Sequence, residues 1–325
     1  MLAGTSDSII ETAGLTKRYG RQIALESLDL AVPHGAVGLL GANGAGKTTL
    51  LRLLLGLSRP DAGTATVLGH DTRRDAIKVR ERVGFMPESD CLPRDTTAAD
   101  FVGHMAEMSG LPARMARQRA ADVLYHVGLD EERYRLIKGF STGMKQRVKL
   151  AQALVHGPGV VFLDEPTNGL DPRGRDEMLD LIDRIHRGLG IAILISSHIL
   201  DDIERVCSFV VILDHGRLML AQPLGNSNDD TGEILVRISS DAALLAARLE
   251  QAGLDVRLLD GNDVDGEIAV RPESDLAYDL IRDMVAELDL GLRSLRPRSS
   301  SLEELYIAHV GSDRERGSGD GRHAS

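Results

Sequence analysis

No apolar run in the 325 residues approaches the roughly 18 needed to cross a bilayer, so the chain is not expected to span one. Cysteine is scarce. Cys91 and Cys207 lie far apart and lack the close spacing of a metal-binding pair. Their scarcity fits a reduced, cytoplasmic setting in which either thiol is simply a structural residue. Residues 1–8 contain no basic side chain and no apolar core, so no export signal is expected. Positive charge is in deficit, with 38 Lys and Arg against 49 Asp and Glu, a net charge of −11. That balance argues against a general nucleic-acid surface. What remains is 42% hydrophobic and 27% charged, the composition of a soluble globular protein with ample core. The length fits one large domain or two of ordinary size.

The residues present converge on one stretch, Gly41 to Leu50, which reads GANGAGKTTL. It follows the apolar run Ala36-Val37-Gly38-Leu39-Leu40 and precedes Leu51-Arg52-Leu53-Leu54-Leu55. A buried strand therefore enters a glycine-rich turn and leaves as a helix, the context that a phosphate-binding loop requires. Gly41, Gly44 and Gly46 let successive N–H groups point at one centre, and the positive end of the helix dipole adds to it. Asn43 and Thr49 belong to the same loop. Lys47 is placed to reach the β- and γ-phosphates of a nucleoside triphosphate, and the Thr48 hydroxyl to enter a Mg²⁺ shell.

Strand and helix patterns alternate through the rest of this half. Strand-like pieces with turn signals at Arg18-Tyr19-Gly20 and Pro33-His34-Gly35 fill residues 9–32, and residues 63–69 read as another short strand. Together they predict a small antiparallel layer. Residues 83–86 form a buried strand, 97–110 and 113–128 two helices, and a third helix follows Phe140 with Ser141 as its N-cap. Val160-Val161-Phe162-Leu163 is an apolar strand running into Asp164-Glu165-Pro166. A helix over 173–189, a strand over 191–195 ending at Ser196-Ser197-His198, and a hairpin over 209–221 complete the half. This order predicts an α/β fold, a mostly parallel sheet with helices on both faces and ligands at the strands' carboxyl ends. Residues 225–232 read as a linker. Residues 233–310 restart with a β-α-β-β-α-β order, which predicts a small α+β, ferredoxin-like domain. In it Ser274 caps the second helix, and Ser301-x-x-Glu304 opens a final short one. Residues 311–325 read as a disordered tail.

Asp164, at the end of a buried strand, suits Mg²⁺ coordination, and Glu165 beside it is placed to polarise an attacking water. Phe140-Ser141-Thr142-Gly143-Met144-Lys145-Gln146 then narrows the class. With the phosphate loop and the acidic pair, it resembles the signature loop of ATP-binding cassette (ABC) proteins, and residues 9–224 are identified as such a cassette. The family's usual run is Leu-Ser-Gly-Gly-Gln, from which Thr142, Met144 and Lys145 depart. This variant resembles the ATPases of bacterial exporters with separately encoded permeases. The run Ser301 to Leu305 is similar to the C-terminal end of drug- and antibiotic-exporter ATPases.

The resemblance implies roles for particular residues. Tyr19 matches the aromatic that stacks on adenine. Ser141 and Gly143 match residues that touch the γ-phosphate held by an opposite subunit, and Asp171 is the acidic member of the loop Asn168-Gly169-Leu170-Asp171. His198 matches the histidine that contacts the γ-phosphate and positions the water. Glu88 stands where the family generally has glutamine, a place that helps hold Mg²⁺ and signals to the permease. ATP and Mg²⁺ are the implied cofactors. The implied partners are a second copy or a paralogous ATPase and an integral-membrane permease, with no nucleic acid, and the implied place is the inner face of the cell membrane. Two rivals stay open at this point: a soluble cassette protein acting on ribosomes or DNA, and a small-molecule kinase using the same phosphate loop.

Overall fold

The computed structural model describes residues 8–224, 230–239, 241–262, 265–272 and 277–299. The expected cap at Ser274, the helix opening at Ser301, the tail 311–325 and most of the expected linker lie outside them. The chain divides into two compact units, parting between Leu224 and Gly225.

The first unit opens with β1 (Ser8–Tyr19) and β2 (Gln22–Pro33), an antiparallel hairpin in which Tyr19 pairs with Gln22 across a two-residue turn. Two continuous 12-residue strands thus replace the separate pieces expected over 9–32. Register shifts between Thr12 and Leu15 and between Leu15 and Lys17 account for the broken alternation. Each inserted residue turns the following side chains to the other face. β3 (Ala36–Leu40) is buried at all five positions and feeds the phosphate loop and α1 (Lys47–Leu54). β4 (Ala62–Val67) and β5 (His70–Asp71) complete a four-stranded sheet of order β2-β1-β4-β5. α2 (Ala76–Arg82) was not foreseen: only Val79 is buried, and Asp75 makes no side-chain cap, so neither signal marks it.

β6 (Val83–Met86) is followed by α3 (Ala98–Met108), α4 (Ala113–His126) and α5 (Thr142–Leu154). Next come β7 (Val160–Asp164), α6 (Pro172–Leu189), β8 (Ala192–Ser197) and α7 (Leu200–Val206). The unit closes with the hairpin β9 (Phe209–Asp214) and β10 (Arg217–Pro223). Their six-stranded sheet has the order β10-β9-β3-β8-β7-β6, parallel throughout except at the β9–β10 edge. β3, β7 and β8 are buried along their whole length, which is why they read as unbroken apolar runs. Phe162 sits at the centre with Leu50, Leu51, Leu53 and Leu54 of α1. α5 lies directly on β6: a Cβ on Gly84 would stand 2.0 Å from the Ala153 carbonyl oxygen. In register, Leu40 pairs with Ser197 and Asp164 with Ser196. The turns after β3, β7 and β8 therefore emerge at one edge of the sheet.

The second unit contains β11 (Asp230–Ile238), α8 (Ala242–Gln251), β12 (Asp255–Asn262), β13 (Asp265–Arg271), α9 (Ala277–Glu287) and β14 (Leu292–Ser299). The sheet order is β12-β13-β11-β14 and every pairing is antiparallel. Ile234, Val236, Ile268 and Val270 pack beneath Leu245 and Leu249 of α8 and Ile281 and Val285 of α9. This is the ferredoxin-like arrangement. β11 begins inside the stretch expected as a linker. The β12–β13 hairpin also runs further than 255–259 and 268–271, pairing Asp260 with Glu267 and Asn262 with Asp265. Those positions are polar, so the hydrophobic pattern ends before the main-chain ladder does.

Candidate active site

At the common edge of the large sheet, Tyr19, Gln22, Ala24, Ala42, Asn43, Gly44, Gly46, Lys47, Thr48, Thr49, Glu88 and Glu165 line one recess of about 400 Å³. Every element that contributes to it arrives by a different route. Tyr19 comes from the tip of the β1–β2 hairpin, half-exposed, with Lys17 Nζ 5.3 Å from its ring centre. Residues 42–49 come from the β3–α1 turn and the first turn of α1. The loop's tight course requires glycine at 46, where φ is +108° and a Cβ would meet Ala24 O at 2.7 Å. Gly41 does not line the recess. Its carbonyl instead accepts from Lys47 Nζ at 2.6 Å.

Lys47 is buried, and its ammonium also stands 3.3 Å from Glu165 Oε1. The other oxygen of that carboxylate, Oε2, lies 2.8 Å from His198 Nδ1. Facing a carboxylate, Nδ1 is the donor of this bond. Glu165 itself has φ +49°, a left-handed conformation that costs a non-glycine residue energy and clusters at functional sites. Ser196 holds it there: the Glu165 N–H donates to Ser196 Oγ at 3.0 Å, and Ser196 Oγ donates to Asp164 Oδ1 at 2.6 Å. The second Asp164 oxygen accepts from Thr48 Oγ1 at 3.1 Å. Thr48 and Asp164 thus form a pair of hard oxygen donors, a set that suits Mg²⁺ completed by water and phosphate oxygens. Glu88 Oε1 accepts from Asn168 Nδ2 at 2.9 Å on the rim.

Ser141, Gly143 and Asp171 are not brought to this recess within one chain. They line a second one of about 550 Å³, with Leu170, Arg147 and Glu177 among its walls. Ser141 Oγ caps α5 by accepting from Met144 N–H at 3.2 Å, and Asp171 Oδ1 caps α6 by accepting from Gly174 N–H at 2.8 Å. Loop 167–168 is tied to α7 through Asp202, whose buried carboxylate accepts from Thr167 Oγ1 at 2.7 Å and from Arg175 of α6. Ser196, Asp202 and Lys149 were not singled out from sequence. Two serines and a histidine ending an apolar buried strand were the available sign for Ser196. Nothing local marks the other two, because their partners are distant in the chain.

The ABC transporter family profile matches residues 25–168. The daunorubicin/doxorubicin resistance ATP-binding protein DrrA of Streptomyces peucetius is 34% identical over 306 residues, covering 93% of this chain and 92% of that protein. The chain belongs to the ATP-binding proteins of ABC transporters. A second relative, the bacitracin transport ATP-binding protein BcrA of Bacillus licheniformis, is 38% identical over 75% of this chain and 79% of its own length. Among solved structures, cbiO1 of Clostridium perfringens, part of the ABC transporter complex cbiONQ, superposes with a TM-score of 0.62 at 29% identity. That match covers 67% of this ABC chain and 89% of cbiO1. The small-molecule kinase reading is thereby set aside. This ABC protein binds ATP and is an ATPase.

Proposed function

We propose that this ATPase drives export, working as a pair of subunits bound to a separate membrane permease at the inner face of the cell membrane. The observation that carries the reading is the linked set Lys47–Glu165–His198 beside Thr48–Asp164, of which Lys47, Thr48 and Glu165 line one recess. Glu165 is the base that takes a proton from the attacking water, held by His198 on one oxygen and near Lys47 on the other. His198, with Nδ1–H committed to Glu165, would contact the γ-phosphate through Nε2–H of the doubly protonated ring, since phosphate oxygens only accept. Lys47 offsets phosphate charge. Thr48, Asp164 and Glu88 would supply oxygens for Mg²⁺, which when bound would offset phosphate charge. Tyr19 offers its half-exposed ring to the adenine. Ser141 and Gly143 of a second copy close over the γ-phosphate, which is supported by their gathering in a recess apart from Lys47. Among the described residues no helix is long and apolar enough to cross a membrane. The relatives named for resistance and for bacitracin transport support export as the direction.

Glu165→Gln tests the chemistry. The amide keeps the shape but cannot accept the proton, so phosphate release is expected to fall by about a hundredfold or more. ATP binding stays intact, and ATP-bound dimers accumulate on a sizing column. Unchanged phosphate release in this variant would remove Glu165 from the base role.

A further inference from the structure

Lys149 stands in the middle of α5 and is 4% exposed. Its ammonium donates to three consecutive main-chain carbonyls, Pro87 O at 2.8 Å, Glu88 O at 2.9 Å and Ser89 O at 3.4 Å. An ammonium has three protons, so the cradle uses all of them. One turn earlier on the same helix, Lys145 Nζ reaches Asp90 Oδ2 at 3.1 Å. The i, i+4 spacing puts both lysines on one side of α5, facing the loop that follows β6. Between them in sequence, Gln146 Nε2 donates to Asn168 O at 3.1 Å, and Asn168 Nδ2 donates to the Glu88 carboxylate. Glu88 is therefore fixed twice from α5: through its backbone by Lys149, and through its side chain by way of Asn168.

Burial alone pulls the Lys149 pKa down, and the neighbouring Cys91, Asp90, Glu88 and Asp164 push it back up. A cation is costly in a core unless it is fully hydrogen-bonded, and three charge-assisted bonds meet that need. An aliphatic side chain would fill the gap between α5 and β6 at lower cost. A lysine here therefore ties the loop to the helix rather than merely filling space. The far end of the same helix is capped by Ser141.

We propose that Lys149 is a positioning residue that holds Glu88 at the mouth of the nucleotide recess and, through α5, makes Glu88 and the Ser141 loop move as one body. The proposal rests on the reading that Glu88 acts on bound nucleotide. A lysine that only stabilised α5 against β6 would change the melting temperature and nothing else.

The test is a double-mutant cycle in the full chain, with Lys149→Met, Glu88→Gln and both together. Lys149→Met keeps the length of the stem and removes the ammonium. It is expected to lower kcat by about tenfold while KM for ATP moves less than about threefold, since the residues that grip ATP are untouched. ATP affinity measured by fluorescence titration should lose part of its Mg²⁺ dependence in the same variant, a readout independent of turnover. Because both changes break one link, the double variant should be no slower than the slower single. An unchanged kcat with only a lower Tm overturns the proposal, and so do losses that multiply in the double variant. Slow Glu88→Gln beside normal Lys149→Met overturns this proposal alone. Normal Glu88→Gln overturns the role of Glu88 as well. Should Lys149→Met not fold, Lys149→Arg serves instead. Its planar fork cannot meet three consecutive carbonyls as an ammonium does, so kcat should fall in the same way. A normal kcat in the arginine variant overturns the proposal.

Discussion

His156 lies in the turn between α5 and β7, and its Nε2 is buried with no hydrogen-bond partner among the described residues. Burial holds its pKa below the ordinary 6.5, against a smaller upward pull from the Val83 backbone. A depressed pKa in the folded state means that the fold favours the neutral ring. The corresponding stability is present above the ordinary value and is lost as pH falls from it through the lowered folded value. Thermal melts should accordingly show Tm declining as pH drops below about 6.5, with His156→Leu flattening that part of the curve. An identical slope in the variant would assign the decline to other groups. At this scale the sequence was most readable where chemistry is local. Lys47, Thr48 and Glu165 share a recess and Ser141 is an N-cap, as residue type and spacing suggested, whereas the capping role of Asp171 was not read from the sequence. Ser196, Asp202 and Lys149 were not readable, because each works through a partner more than a few residues away.

Among elements, β7 bears the heaviest demand. It places Phe162 at the centre of the core and, two residues on, delivers Asp164 and Glu165 to the sheet edge. Phe162→Ala should destabilise the cassette by about 3–5 kcal/mol in urea unfolding. Any folded fraction should also hydrolyse ATP more slowly, since Asp164 and Glu165 inherit the shift of the strand. Full activity per folded molecule would separate core packing from the alignment of the site. Strands with both faces covered were legible as apolar runs, and α5 by its cap Ser141. The long β1–β2 hairpin was harder to read because its bulges reset the alternation, and α2 because a single buried valine sets no period. α7 has seven residues and no side-chain cap, too little for a pattern, although it stands on β3 close to Gly38.

For the whole molecule, the deciding feature is that one chain carries two recesses in different places, which the proposed dimer would join as half-sites. One recess holds Lys47 and Glu165, and the other holds Ser141 and Gly143. In a two-fold dimer each working site then borrows one half from each chain. Damage to the halves is therefore separable by genetics. A cell making only Lys47→Ala chains, or only chains with Ser141 replaced by a bulky residue, should lose ATP-driven transport. A cell making both should regain some. In a mixed pair the intact Lys47 of one chain faces the intact Ser141 of the other, while all the damage collects in the opposite site. Two alleles that each fail alone would thus complement each other within a single gene, whereas two different Lys47 alleles would not. Failure of the mixed culture to recover, with both chains present and paired, would mean that each site is built within one chain.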